Sequence, residues 1–252
     1  MNHPLWSIID YVYVINCNKA RWERMKERLD PIVPREKLVK FSSVTEQDDR
    51  VKQVFDNSLP KRMMRMLCCA LSHMDIWKIA QHRSRLQDFD ESKDRVKQYS
   101  IILEDDVFFR RDWMEVVYGF LMTIDYFDPN WDMLQLNAQG FHDWTPHGLK
   151  KCDGMLLSGG YILSTRGMDQ LIEWFAENNE TTCKISSDYR LVRLQERGHS
   201  YFYFPYLALQ EFEDSTIAND NDPEDQNHVR NLRTWQESNY KPTFGHLYDW
   251  CK

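Results

Sequence analysis

The 252-residue sequence predicts an α/β fold of the doubly wound kind, and three observations carry that reading. Two short apolar runs, 9–15 (IDYVYVI), rich in Val, Ile and Tyr, and 100–103 (SIIL), read as strands. They show little polar alternation, as strands buried on both faces of a sheet do. Strand-like and helix-like patterns then alternate along the chain. The length suits one large domain, and 42% hydrophobic residues are ample for its core.

The elements follow in order. After the first strand, 16–18 (NCN) ends the run and 20–29 reads as a charged helix. A strand, a turn and a basic helix N-terminus form a natural cradle for phosphate, with Arg21 and Arg24 placed to meet an anion; the same two residues also suit a solvated helix face. Pro31 and Pro34 break the helix, and 37–41 reads as a short strand ending at Ser42 and Ser43. Residues 45–58 look polar and irregular. From 61 to about 82, Met63, Leu67, Ala70 or Leu71, Met74 and Trp77 recur at helical steps and mark a core-facing stripe. On this pattern alone His73 is a structural histidine. Residues 84–98 are charge-dense and read as an exposed connection.

Beyond the central strand, Asp112 and Glu115 resemble a capping box opening a helix that runs to about 126. Residues 132–137 (DMLQLN) alternate, as a strand near an edge does. The stretch 141–149 reads as a loop whose Phe141, His142, Trp144 and His147 suit either a sugar-stacking platform or a hydrophobic plug. In 156–165 (LLSGGYILST), Gly159 and Gly160 point to close approach of another group. A helix at 166–177 and another carrying Asp188, capped by Ser186 or Ser187, come next. A β-like segment at 201–207 contains Pro205, which points to an edge or a terminus. Residues 211–231 read as a mobile acidic loop, and the aromatic remainder as folding back on the same domain.

Bulk chemistry excludes some functions. With 32 Lys and Arg against 39 Asp and Glu, the net charge of −7 argues against a nucleic-acid binder. No stretch approaches the roughly 18 apolar residues of a membrane span, and the first ten residues lack the pattern of a signal peptide. The six cysteines show no zinc-type CxxC spacing and read as reduced. The expectation is a soluble protein of the cytoplasm or another reducing compartment.

The chemistry concentrates at 104–106, where Glu104, Asp105 and Asp106 follow the central strand. Acidic residues at the carboxyl end of such a strand lie where open α/β sheets place ligands. Three crowded carboxylates disfavour one another's ionisation, and a hard divalent cation would relieve the cost.

Four stretches in order resemble glycosyltransferase family 25, which includes lipooligosaccharide and collagen hydroxylysine glycosyltransferases. They are 13–25 (YVINCNKARWERM), 68–77 (CCALSHMDIW), 101–109 (IILEDDVFF), and a weaker set: 159–165 (GGYILST), 186–191 (SSDYRL) and 204–217 (FPYLALQEFEDSTI). Cys68 stands where that family commonly has glycine, and Cys17 where it has leucine. The resemblance implies a single GT-A-type, Rossmann-like domain over 1–252 with a mixed central sheet. It implies inverting transfer of galactose or glucose from a UDP-hexose to a hydroxyl, on a glycan end or on hydroxylysine of a collagen-like chain. It assigns Mn²⁺, or Mg²⁺, to a DxD-like pair, Glu104 and Asp106, completed by a late histidine, His246 or His228. Asp188 becomes the catalytic base, and Asn16, Arg21, Ser43, His73 and Asp105 the donor-binding set. The competing expectations are a degenerate, glycan-binding domain and an aspartyl phosphohydrolase, the latter disfavoured because Glu104 holds the place of the nucleophilic aspartate.

Overall fold

The computed structural model describes residues 3–54, 61–88, 99–137, 147–177, 186–211, 227, 230, 231 and 233–248. Its strands are β1 (Ile9–Asn16), β2 (Leu38–Ser42), β3 (Tyr99–Glu104), β4 (Val107–Phe109), β5 (Met133–Gln135), β6 (Gly148–Lys151), β7 (Gly160–Leu163), β8 (Ser200–Phe204) and β9 (Ala208–Gln210). Its α-helices are α1 (Lys19–Leu29), α2 (Asp49–Val54), α3 (Lys61–Asp88), α4 (Trp113–Phe127), α5 (Thr165–Glu177), α6 (Ser187–Gln195) and α7 (Lys241–Phe244). Seven strands form one sheet in the order β2-β1-β3-β7-β5-β8-β6, and β4 and β9 form a separate ribbon. The sheet is mixed: β1 is parallel to β2 and β3, while β7 runs antiparallel to both β3 and β5.

Successive side chains on a strand point to opposite faces, and the apolar runs at β1 and β3 feed a core on each. Val12, Val14, Ile101 and Leu103 join Met25 and Leu29 of α1 and Val117, Phe120 and Leu121 of α4. Tyr13, Ile15 and Ile102 join Leu67, Leu71, Met74 and Trp77 of α3, with residues of α5 and α6. The chain is therefore α/β with helices on both faces of the sheet. A third, aromatic cluster ties the C-terminal segment to the ribbon through Phe108, Tyr206, Tyr240, Phe244 and Tyr248. Among the described residues, no helix is long and apolar enough to cross a membrane.

Several sequence expectations need correction. Residues 49–54 are helical rather than irregular, and α3 runs on to Asp88. Asp112 makes no side-chain cap on α4, because its carboxylate is taken by Arg110 at 2.5 Å. β5 is interior, between β7 and β8. Its polar residues are buried with their hydrogen bonds made inside the protein: Gln135 donates to the Leu157 carbonyl at 2.7 Å, and Asn137 accepts from the Gly160 N–H at 2.8 Å. The end of the supposed loop at 141–149 starts the edge strand β6, paired with β8. His147 lies edge-on to Phe204 and Phe244, and Phe141, His142 and Trp144 lie outside the described residues. The 201–207 segment divides into β8 and, past Pro205, the approach to β9. Most of 211–231 lies outside the described residues.

One glycine is held by the packing rather than by backbone conformation. A Cβ on Gly167, in the first turn of α5, would fall 2.3 Å from the Asp132 carbonyl oxygen. Backbone cannot yield as a flexible side chain does, so Gly167→Ala is expected to cost about 1–3 kcal/mol in a urea melt. A neutral result would mean that α5 can slide along the sheet.

Candidate active site

The parallel strands β1, β2 and β3 end together, since Asn16 pairs with Ser42 and Ile15 with Glu104. The chain leaves β1 for β2 on one side and returns to β3 on the other, which makes this edge a switch point of the kind that opens a ligand crevice. Because β7 is antiparallel, its start lies at the same edge: the Glu104 N–H donates to the Gly159 carbonyl at 2.7 Å. The β4–β9 ribbon folds over it, with the Glu211 N–H donating to the Asp106 carbonyl at 2.8 Å.

The three consecutive carboxylates have different surroundings. Asp105 is enclosed: it accepts from the Asn16 amide and the Cys17 N–H, both at 2.8 Å, and pairs with Arg21 Nε at 2.7 Å. Arg21 also reaches Asp106 at 2.6 Å through its second arm. The guanidinium that the sequence offers to an anion is thus buried between two aspartates, oriented by the Asn18 cap of α1. Arg24 turns instead toward Glu211.

Glu104 divides its two oxygens. Oε1 accepts from the Ser158 hydroxyl at 2.9 Å and meets His73 Nε2 at 3.2 Å and Cys69 Sγ at 3.8 Å. Oε2 accepts from the Gln210 amide at 2.9 Å, and the same amide nitrogen lies 3.2 Å from Asp106 Oδ1. Burial works against ionised Glu104, but the His73 and Ser158 hydrogen bonds and the positive charge nearby outweigh it and hold the carboxyl below its ordinary value. Asp106 goes the other way. Burial pushes it up to about 7, against the pull of Arg21 and helped by the charges of Glu104 and Asp105.

Asp188 comes to the same place from α6. Burial raises its carboxyl, and the charge of Glu104 adds to the effect. Ser158 faces it with hydroxyl and backbone N–H, and that hydroxyl also touches Ser187 at 2.8 Å. The Ser158 hydroxyl therefore links Glu104, Ser187 and Asp188. The carboxyls at this edge are driven to different protonation strengths, the condition for dividing acid, base and charge-binding roles.

His73 is fully buried, and its ring is oriented by a chain of donors. Trp77 Nε1, which can only donate, bonds the Tyr161 hydroxyl at 2.8 Å. The Tyr161 hydroxyl in turn meets His73 Nδ1 at 2.6 Å, while Nε2 faces Glu104 Oε1 at 3.2 Å, so the ring is held at both nitrogens.

The structure gathers Asn16, Arg21, His73, Glu104, Asp105, Asp106 and Asp188 at one sheet edge. Ser43 lies beside them, its N–H donating to the Asn16 carbonyl at 3.0 Å. His246 stands elsewhere: it lines a cavity of about 730 Å³ with His147, Pro242 and Phe244. His228 lies outside the described residues. Among the described residues, the group with metal-ligand spacing is Cys69, His73 and Glu104, without His246.

Sequence reasoning missed Ser158, Ser187, Asn137 and Gln210 as site residues. The paired glycines were the available signal. A Cβ on Gly159 would lie 2.5 Å from Gln210 Cδ and 2.6 Å from Asn137 Nδ2, so the glycine makes room for the Gln210 amide that holds Glu104 and Asp106, and for the Asn137 amide that donates to Gln210. Two residues before it, Leu157 adopts φ 87°, a conformation costing about 1–3 kcal/mol for a residue with a side chain. No family model matches the sequence, and no curated protein is significantly similar to it.

Proposed function

We propose that the protein is an inverting, metal-dependent glycosyltransferase with a GT-A-type fold, moving galactose or glucose from a UDP-hexose to a hydroxyl acceptor. The observation that carries this reading is the gathering of Glu104, Asp106 and Asp188 at the carboxyl edge of a mixed sheet. The motif resemblance of 13–25, 68–77 and 101–109 supports it, because those stretches supply Asn16 and Arg21, His73, and the acidic cluster.

The residues fit a hard divalent cation such as Mn²⁺ or Mg²⁺. Glu104 Oε2 and Asp106 Oδ1 both face the Gln210 amide nitrogen, a position from which an entering cation would displace that amide. Arg21 supplies one positive charge against three consecutive carboxyls, and oxygen donors in negative excess suit such an ion. When bound, the cation would screen charge on the departing diphosphate.

The chain's own residues supply the rest. Arg21 and Asn16 fix Asp105 and so set the turn that presents Asp106. Gln210 clamps Glu104 to Asp106. Asp188, with its carboxyl raised, takes the acceptor proton as the acceptor oxygen bonds to the sugar's anomeric carbon. The bond from that carbon to the diphosphate breaks, and its electron pair leaves with UDP.

The test is calorimetric titration of UDP with and without Mn²⁺, on wild type and Asp106→Ala. Binding that requires Mn²⁺ and collapses in the variant is the expected result. Absence of UDP binding to the wild type would overturn the reading. The acceptor, a glycan end or a collagen-like hydroxylysine, follows from a panel run with the active donor.

A further inference from the structure

We propose that Cys69, His73 and Glu104 form a second cation site, selective for a thiophilic divalent ion of the zinc class. It lies on the other side of Glu104 from the oxygen-lined pair with Asp106.

Cys69 and His73 stand four residues apart on α3, one turn above the other on one face. Sγ, a ring nitrogen and a Glu104 oxygen all lie within 4.8 Å of one another. Ordinary zinc bond lengths in a tetrahedron place N and O ligands about 3.4 Å apart, and S and O ligands about 3.6 Å apart. Here His73 Nε2 and Glu104 Oε1 are separated by 3.2 Å, and Cys69 Sγ and Glu104 Oε1 by 3.8 Å. Two of the three ligand–ligand edges are thus within a few tenths of an ångström of the tetrahedral values, and the third, between Sγ and the ring nitrogen, is no longer than 4.8 Å.

The surroundings have the other marks of a binding site. His73 is oriented from behind by Tyr161, itself held by Trp77, the hydrogen-bonded support that ligating histidines use. Cys69 and Glu104 are half-buried residues, and His73 is fully buried. The Ser158 and Ser187 hydroxyls lie 2.9 Å from Glu104 Oε1 and 3.6 Å from Cys69 Sγ, where a fourth ligand, water or hydroxyl, would be held.

Ligand softness separates the two sites. A thiolate and an imidazole favour zinc-class ions over Mn²⁺ or Mg²⁺, whereas Glu104 Oε2 with Asp106 is an all-oxygen pair. On binding, the Cys69 thiol gives its proton to solvent. His73 ligates through Nε2 in the tautomer that carries its proton on Nδ1, where the Tyr161 oxygen accepts the hydrogen bond and turns its own O–H away from the ring. Sγ, Nε2 and Oε1 then each offer a lone pair.

The experiment is a Co²⁺ titration of chelator-treated full-length protein, followed by Zn²⁺ displacement. The expected result is one Co²⁺ per chain with a sulfur-to-cobalt charge-transfer band in the near ultraviolet, removed by Zn²⁺. The band should vanish in Cys69→Ser and persist in Cys17→Ser and Asp106→Ala. Tyr161→Phe should weaken affinity about 10–100-fold. In the wild type, Zn²⁺ should protect Cys69 from alkylation, read by peptide mass, which requires no variant to fold. A band surviving in Cys69→Ser, no band in the wild type, or alkylation of Cys69 unaffected by saturating Zn²⁺ would overturn the site. These readouts are independent of UDP, so failure of the transferase reading would leave them intact.

Discussion

Asp188→Asn is expected to lower transfer turnover by about a hundred- to ten-thousandfold, the usual contribution of a general base. The amide keeps the carboxylate's shape and can still accept from Ser158, but it cannot carry away the acceptor's proton. UDP affinity in the presence of Mn²⁺ should stay near that of the wild type, because the donor is assigned to Asn16, Glu104 and Asp106. Turnover on a hydroxyl acceptor and calorimetric UDP binding, measured on the same preparation, separate the two effects. Unchanged turnover would remove Asp188 from the chemistry. Loss of UDP binding together with turnover would instead make it part of the site's framework.

Arg21→Met is expected to cost about 3–5 kcal/mol of folding stability, the penalty for stranding buried charge when one partner is removed. Arg21 is buried and pairs with Asp105 and Asp106 through separate nitrogens, at 2.7 and 2.6 Å. Methionine fills similar space without the charge, so packing loss is kept small. Denaturant melts at neutral pH measure the difference. A loss below about 1 kcal/mol, the scale of an exposed ion pair, would show that the aspartates are stabilised by other groups.

What the sequence made legible was local. The β1 and β3 runs stand out because burial on both faces leaves a strand uniformly apolar, and the acidic triplet stands out because it interrupts that apolarity. Asn16 and Arg21 follow from the turn after β1, a few residues away. The amides of Asn137 and Gln210 were illegible for the opposite reason. Asn137 reaches Gly160 only once β7 has been inserted antiparallel between β3 and β5, and Gln210 reaches Glu104 only once β9 has paired with β4; strand pairing is not a property of any one segment. β5 misled because buried Gln135 and Asn137 mimic the polar half of an edge strand. His73 read as structural because periodicity places it on α3 without revealing that its ring faces a carboxylate on another element.

The place of β7 also bears on how the protein is made. A ribosome delivers β1, β2 and β3 early, and their parallel pairing can form at once. The far side of β3 then has no neighbour until β7 emerges, after α4, β5 and β6. Throughout that interval the nascent chain carries an apolar strand with an open edge, the kind of surface that attracts chaperones and invites aggregation. Glu104 waits longer still for Gln210. Nascent chains halted before that residue are expected to lack the amide that joins Glu104 to Asp106 and to depend on holdases, and yield of the finished chain should respond to chaperone supply more than to the intrinsic stability of the finished fold.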